Sequence, residues 1–251
     1  MRFIWMHKAD RDAGADVSPS PELIAGMGIL MEEMTKAGVL IAGEGLQPSS
    51  MSVRLKFSRG ERSVTPGPLA GSNELLAGFA IVRMKSMEEA IEWGSRLGEI
   101  AGEAVVDIGQ VKEPWDLGLC PRPPDQATRF MIMLKADEKS EAGIPPTPEV
   151  MKFMNELRDG AAATDAALVS LWLQPSSKGA RLRVSAGKRS VIDGPFTESK
   201  ELIGGYCIVQ VMSREDTFEW AVRFAQVLGS SRVGINVELD ILPLYEMPHQ
   251  P

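Results

Sequence analysis

Two side chains in this sequence have the chemistry of a general acid or base. Asp193 opens the segment Asp-Gly-Pro-Phe, and His7 lies on a predicted strand among apolar residues. An Asp before Gly-Pro accepts hydrogen bonds from backbone N–H groups and stabilises a tight turn, an interpretation we favour over a catalytic carboxylate. An imidazole titrates near neutral pH, but a polar group on an apolar face needs a partner or a cavity. His7 and Asp193 are therefore the catalytic candidates, with core packing and turn formation as their alternatives.

Charged side chains near Asp193 form a second candidate site. Glu198, Lys200 and Glu201 follow it along the chain, and Arg181 lies on the hairpin before it. The first three can form a charged rim, and the arginines of the hairpin strands, Arg54, Arg62, Arg181 and Arg189, can bind a small anion. We predict Arg181, Glu198, Lys200 and Glu201 as ligand-binding. The alternative is a solvated hairpin with surface salt bridges, which contribute little to stability.

Several classes of chemistry have no support in the sequence. It contains no nucleophile elbow, no P-loop and no dinucleotide fingerprint. Its two His and two Cys residues form no metal-ligand pattern. We therefore expect no cofactor and no metal.

Composition also limits the partners and the compartment. A net charge of −7 argues against a nucleic-acid-binding surface, which normally carries a basic excess. No stretch reaches the ~20 apolar residues of a membrane span. Two cysteines without a CxxC spacing fit a reducing compartment. We expect a cytoplasmic protein that binds neither nucleic acid nor membrane.

The candidate residues must be positioned by a fold, and the sequence encodes that fold twice. The stretch 193–205 has a diverged counterpart at 66–78, 127 positions earlier, and the register holds over most of both copies. A period of this length indicates two whole domains rather than a solenoid. We predict a first copy at 1–116, a linker at 117–127 and a second copy at 128–251, each long enough for its own core.

Each copy has the pattern strand, helix, strand, hairpin, strand, helix, strand, which is the ferredoxin-like plan. Hydroxyl residues predict the N-caps of the helices, at Ser20, Ser86, Thr147 and Ser213. Several strands are apolar on both faces, so helices on one side of a sheet cannot be their only cover. We predict an α+β fold of two ferredoxin-like domains in tandem that form an intrachain pseudo-dimer, the whole being a monomer or a homodimer.

The motif around Asp193 resembles that of the DGPF proteins in the YCII-related superfamily. The resemblance rests on Asp193–Phe196, Glu198, Lys200, Glu201, Gly204-Gly205, the upstream Leu-Gln-Pro-Ser-Ser at 173–177 and Arg181. The first copy keeps a degenerate form, with Pro66, Leu69, Gly71 and Asn73 in place of the Asp, the Phe, the first Glu and the Lys. The resemblance covers both copies and implies the dimeric α/β-barrel fold.

What the resemblance implies about function leaves more than one class open. DGPF proteins lack an assigned reaction and many are associated with extracytoplasmic-function sigma factors, which implies a small-molecule-binding or regulatory module. Similar dehydrochlorinases and lactone isomerases imply the alternative, a cofactor-free lyase or isomerase acting on a small anionic metabolite. A purely structural pseudo-dimer without a ligand is the third class, since fold does not fix function.

The two copies are not chemically equivalent. Only the second has Asp193, Glu198 and Lys200, and only the first has His7, because Leu134 occupies its place in the second. We therefore expect one asymmetric site rather than two equal ones.

Overall fold

The structure is a computed structural model of the 251-residue chain. It describes residues 1–8, 19–71, 74–124, 126–161, 169–185, 188–196, 202–230 and 236–246. None of the helices in these ranges is long and apolar enough to cross a membrane.

Both copies have the predicted order of elements. In the first copy these are β1 (Arg2–Lys8), α1 (Pro21–Lys36), β2 (Leu40–Gly45), β3 (Val53–Ser58), β4 (Glu61–Pro66), β5 (Leu76–Met84), α2 (Met87–Ala101) and β6 (Ala104–Gln110). In the second copy they are β7 (Thr128–Lys135), the short α3 (Glu138–Glu141), α4 (Pro148–Ala161), β8 (Ser170–Trp172), β9 (Ala180–Ser185), β10 (Lys188–Asp193), β11 (Ile203–Gln210), α5 (Arg214–Ser230) and β12 (Val237–Pro243). The α+β class with two ferredoxin-like domains is confirmed. The short helix α3 is an element that we did not predict from the sequence.

The predicted helix caps are confirmed by hydrogen bonds. Ser20 Oγ accepts from the backbone N–H of Leu23 at 3.2 Å, and Thr147 Oγ1 accepts from that of Val150 at 3.3 Å. At the start of α5, Ser213 and Asp216 exchange side-chain to backbone hydrogen bonds of 2.9 and 3.1 Å. These contacts satisfy N–H groups that a helix leaves without an internal partner.

The twelve strands in the described ranges form two six-stranded sheets in which paired strands are antiparallel. One sheet has the order β10-β9-β12-β1-β11-β2, and the other has the order β4-β3-β6-β7-β5-β8. Each sheet therefore takes two strands from one copy and four from the other. We expected each copy to form its own core, and the structure instead exchanges the opening strand–helix–strand segments between the copies.

The compact parts of the molecule follow the sheets and not the sequence repeats. Unit 1 consists of Met1–Gly45, Leu173–Thr197 and Ile203–Pro251, and unit 2 consists of Leu46–Trp172 and Glu198–Leu202. In each unit the strand order is that of a ferredoxin-like sheet with an added hairpin. Two such units in one chain are consistent with the predicted intrachain pseudo-dimer.

Chain connectivity explains the exchange in unit 2. The last strand of the first copy, β6, pairs directly with the first strand of the second, β7, with Gln110 opposite Phe130. Consecutive antiparallel strands need only a short link, and neighbours in sequence usually pair in space. The two segments that flank the predicted linker are tied together, because the buried Glu113 accepts hydrogen bonds from Arg129 at 2.8 and 2.9 Å.

Both faces of the central strands are buried, as their alternation predicted. In unit 1, Trp5 of β1 faces the helices, where its indole donates a 2.9 Å hydrogen bond to Thr217 on α5. The intervening side chains Ile4 and Met6 point to the opposite face and are at most 1% exposed. A strand that is apolar on both faces has this pattern of burial.

The exchange makes a prediction that one designed disulfide can test. A Cβ atom at Gly43, on the strand β2 of the first copy, would lie 3.6 Å from Sγ of Cys207 in the second copy. We expect Gly43→Cys, in a Cys120→Ser background, to form a disulfide with Cys207, since paired antiparallel residues lie within bridging distance. Titration of free thiols after denaturation measures the bond.

Ser170 supplies the matched control. It is the counterpart of Gly43 in the second copy, and it pairs with Ala80. Ser170→Cys should therefore retain both thiols under the same oxidation. The reverse result, a bond from position 170 and none from position 43, would show that each copy forms its own sheet.

Candidate functional site

His7 lies on the helix-facing side of unit 1. The strand β1 pairs it with Gly205 on one side and Leu239 on the other. Its ring centroid is 6.4 Å from that of Phe224 on α5, and Nδ1 lies 3.4 Å from the carbonyl oxygen of Lys8. A Cβ atom at position 205 would lie 2.5 Å from Nε2 and 2.6 Å from the backbone carbonyl oxygen of Glu44, so this place requires glycine. As a whole residue, His7 is partly exposed to solvent.

Asp193 is exposed at the end of the edge strand β10. Its side chain is 71% exposed and forms an ion pair with Arg214 at the start of α5. Three strand-to-strand steps separate its strand from that of His7, and at about 4.8 Å each these amount to roughly 14 Å. The structure therefore does not bring the two catalytic candidates together.

The turn after Asp193 explains why two sequence motifs occur together. A Cβ atom at Gly194 would lie 1.8 Å from the carbonyl oxygen of Ser176, and one at Gly67 would lie equally close to that of Ser49. The peptide bonds Gly67-Pro68 and Gly194-Pro195 are both cis. Each Gly-Pro turn thus packs directly on the Leu-Gln-Pro-Ser-Ser segment of its own copy. The predicted binding residues Glu198, Lys200 and Glu201 lie outside the described residues.

A cluster of buried charges lies on the face of the unit 2 sheet that points away from the helices. Arg54 on β3 donates two hydrogen bonds of 2.7 Å to the carboxylate of Asp107 on β6, and a third of 2.9 Å to Glu74. Lys135 on β7 forms ion pairs with Glu74 and, at 3.0 Å, with Asp107. Two cations and two carboxylates therefore balance each other.

Unit 1 repeats this arrangement at the equivalent strands. Arg181 donates hydrogen bonds of 2.6 and 3.2 Å to Asp240 and lies 3.2 Å from Glu238. Lys8 forms an ion pair with the same carboxylate of Asp240. The guanidinium group of Arg181 also lies 4.7 Å above the ring of Phe196, the last residue of the Asp-Gly-Pro-Phe motif.

Each cluster combines charges from both copies. Arg54 and Asp107 belong to the first copy and Lys135 to the second, whereas Arg181 and Asp240 belong to the second and Lys8 to the first. The cluster therefore ties the exchanged strand into its sheet. In unit 1 the charge of Arg181, a predicted anion ligand, is engaged by carboxylates.

The buried aspartates are ionised. Burial opposes ionisation of Asp107, but the hydrogen bonds from Arg54 and the charge of Lys135 outweigh it and hold the pKa below its usual value. Burial likewise opposes ionisation of Asp240, and Lys8 and Arg181 lower its pKa. Carboxylates with a lowered pKa are poor general bases at neutral pH.

The two units differ at one place on the helix-facing side. In unit 2, Leu134 of β7 and Trp172 of β8 flank Gly78, and they are only 9% and 3% exposed. In unit 1 the equivalent positions are His7 and Gly45, and both are partly exposed. An imidazole and a hydrogen atom replace a leucine side chain and an indole, so unit 1 is more open here.

Sequence reasoning missed the charge clusters and the role of Gly45. The signal was present, because Lys8 and Lys135, like Asp107 and Asp240, are charged residues that recur in the corresponding, largely apolar strands of the two copies. A charge that recurs on a buried strand indicates a partner on a neighbouring strand. The identity of that neighbouring strand depends on the exchange of the opening strands between the two copies.

The protein thus consists of two ferredoxin-like units, each with a balanced cluster of buried charges. The model of the YCII-related domain matches the chain twice, at residues 1–113 and 128–230. The chain therefore belongs to the YCII-related family and contains two copies of its domain. No curated protein and no solved structure matches the chain.

The charge cluster predicts how a substitution of one buried carboxylate changes the free energy of unfolding. Asp107→Asn leaves Arg54 and Lys135 with one carboxylate between them, and we expect a loss of about 3–5 kcal/mol in the free energy of unfolding. Urea denaturation at neutral pH measures it. The control is Glu33→Gln, which removes the half-exposed pair with Arg223 and should cost about 1 kcal/mol or less.

The pKa directions predict how this difference depends on pH. A carboxylate with a lowered pKa in the folded state stabilises the protein above its unfolded pKa of about 3.9, and this contribution is lost as pH falls further. The gap between wild type and Asp107→Asn should therefore stay constant from neutral pH to about pH 5 and narrow below about pH 4. A gap that persists at lower pH would show that the charge of Asp107 does not cause it.

The exposure of Asp193 predicts a mild phenotype. Asp193→Asn keeps a turn-forming side chain and loses one surface ion pair, so we expect a cost of about 1 kcal/mol or less. A chemical denaturation curve tests this, with Arg214→Gln as the matched loss of the partner. A cost of several kcal/mol for Asp193→Asn alone would contradict a role limited to the turn.

Proposed function

We propose that this protein is a small-molecule-binding module with a single ligand site in unit 1, beside His7. The observation that carries the proposal is the difference between the units, because the position that Leu134 and Trp172 fill in unit 2 is occupied by His7 and Gly45 in unit 1. The exposed fractions support it, since two buried residues correspond to two that solvent reaches.

The chemistry of this place suits a ligand with a flat apolar part. Gly205 and Gly45 present bare backbone next to the imidazole, and the buried ring of Phe224 lies behind it, with its centroid 6.4 Å from that of His7. Ligand sites are mostly apolar and have a few polar groups that fix orientation. His7 supplies such a group, because an imidazole can donate or accept a hydrogen bond.

Binding is the better supported function, and catalysis is the alternative. A lyase or isomerase without a cofactor needs a second group placed to move a proton. Asp193 lies about three strands away, and Asp240 is on the opposite face with a lowered pKa. The observation that favours an enzyme is His7 itself, an imidazole in a place that solvent reaches.

The predicted site for an anionic ligand is not the site that we propose here. That prediction relied on Arg181 together with three residues outside the described ranges. The charge of Arg181 is already shared by Asp240 and Glu238. We therefore place the ligand at His7, on the other face of the sheet, whether or not it is an anion.

The experiment is a thermal-shift screen with small organic acids, phenols and lactones, followed by calorimetry on the compounds that raise the melting temperature. We expect one site per chain. Gly45→Trp and His7→Leu copy the residues of unit 2 and should each abolish binding, whereas Asp193→Asn should leave it unchanged. Two equal sites per chain, or unaltered binding in both variants, would refute the proposal.

The same samples separate binding from catalysis. Proton NMR of the bound compound after prolonged incubation distinguishes a ligand that is returned unchanged from a substrate that is converted. Conversion by wild type that disappears in His7→Leu would establish the enzyme. Recovery of the intact compound supports the binding module.

A further inference from the structure

The helical surface of unit 1 contains a groove along the seam between α1 and α5. Its volume is about 290 Å³. The lining residues come from both helices and are Gly26, Ile29, Leu30, Glu33, Arg223, Gln226, Val227 and Ser230. The groove is separate from His7, which does not line it.

The equivalent seam of unit 2, between α4 and α2, is filled by an aromatic ring. Phe153 is the counterpart of Gly26 and is only 3% exposed. Its ring lies 5.8 Å from that of Trp93, and the guanidinium group of Arg96 lies 5.4 Å from its centroid. Unit 2 therefore supplies its own ring where unit 1 has a glycine.

The aromatic surroundings of that ring are kept in unit 1. Trp220 and Arg223 are the counterparts of Trp93 and Arg96, and the guanidinium group lies 4.5 Å from the Trp220 ring. Arg223 also lines the groove. A ring that enters at Gly26 would meet the cation that Phe153 meets in unit 2, an attractive contact when it is shielded from water.

The helix seams of the two units also differ in charge. Ile29 and Gln226 occupy positions where unit 2 has Glu156 and Glu99, so two acidic residues are replaced by neutral ones. The remaining charges, Glu33 and Arg223, form an ion pair with each other. The groove thus carries balanced charge and suits an uncharged aromatic group, whereas the seam of unit 2 has two more carboxylates, of which Glu156 forms an ion pair with Lys152.

We propose that this groove binds an aromatic side chain of a partner protein. A free small molecule needs most of its surface buried, but here Ile29 is 62% exposed and the side chains of Glu33 and Arg223 are about half exposed. A partner covers such a rim while inserting one ring, and aromatic anchors commonly dominate the energy of protein interfaces. This inference is independent of the ligand site at His7.

The test uses the full chain and saturation-transfer NMR with defined probes. These are N-acetyl-phenylalanine amide, N-acetyl-leucine amide, and an uncharged nine-residue peptide with one central Phe. We expect the Phe amide to bind in the millimolar range, the Leu amide to bind at least about tenfold more weakly, and the peptide to bind at least about tenfold more tightly than the Phe amide.

Two variants locate the site. Gly26→Phe supplies a ring from the chain itself, and Val227→Ala accompanies it because a Cβ atom at position 26 would lie 3.3 Å from Val227 Cγ1. Ile29→Glu with Gln226→Glu restores the acidic seam of unit 2 at exposed positions, where folding is little affected. Both should remove probe binding without loss of the folded state, and His7→Leu should not change it.

Any of four results would overturn the proposal. One is equal binding of the Leu and Phe amides, which would remove the preference for an aromatic ring. The second is peptide binding that persists in the Ile29→Glu, Gln226→Glu variant, and the third is a peptide that does not bind the wild type. The fourth is a free Phe amide that binds as tightly as the peptide, which would indicate a small-molecule site instead of a partner surface.

Discussion

The structure depends on a buried carboxylate in each sheet, whose negative charge must be balanced by neighbouring cations. Asp107 and Asp240 lie on central strands with 2% and 1% of their surface exposed, and an ionised carboxylate without partners would be very costly there. In each sheet an arginine from the same copy and a lysine from the other copy supply the balance. The cluster is therefore a chemical link between the copies as well as a local solution to burial.

Exchange of the opening strand, helix and strand makes each unit a product of both copies. Mutations in one copy then alter both units, since β1 and β2 serve one sheet and β3 to β6 serve the other. Differences between the units arise where copies have diverged at paired positions. His7 with Gly45, and Gly26 in place of Phe153, are such places in unit 1.

The Asp-Gly-Pro-Phe motif has a structural explanation that needs no reaction. Its glycine approaches the Leu-Gln-Pro-Ser-Ser segment too closely for any side chain, and its phenylalanine lies under Arg181 of the charge cluster. The first copy keeps the same close approach at Gly67 although Asp and Phe are replaced by Pro66 and Leu69. The motif therefore maintains a turn that supports the buried charges, and the side chain of its aspartate is exposed to solvent.

The sequence alone determined the elements, their order and the duplication, because local signals specify them. Apolar alternation marked the strands, hydroxyl caps marked the helix starts, and a repeat of 127 positions marked the copies. Those signals are the same in both copies. They could not tell whether β1 and β7 each pair within their own copy or join the sheet of the other copy. Only the tertiary structure decided this pairing, and with it the charge clusters and the separation of His7 from Asp193. The physical reason is that strand pairing and burial of charge depend on contacts between residues far apart in sequence, which periodicity does not encode.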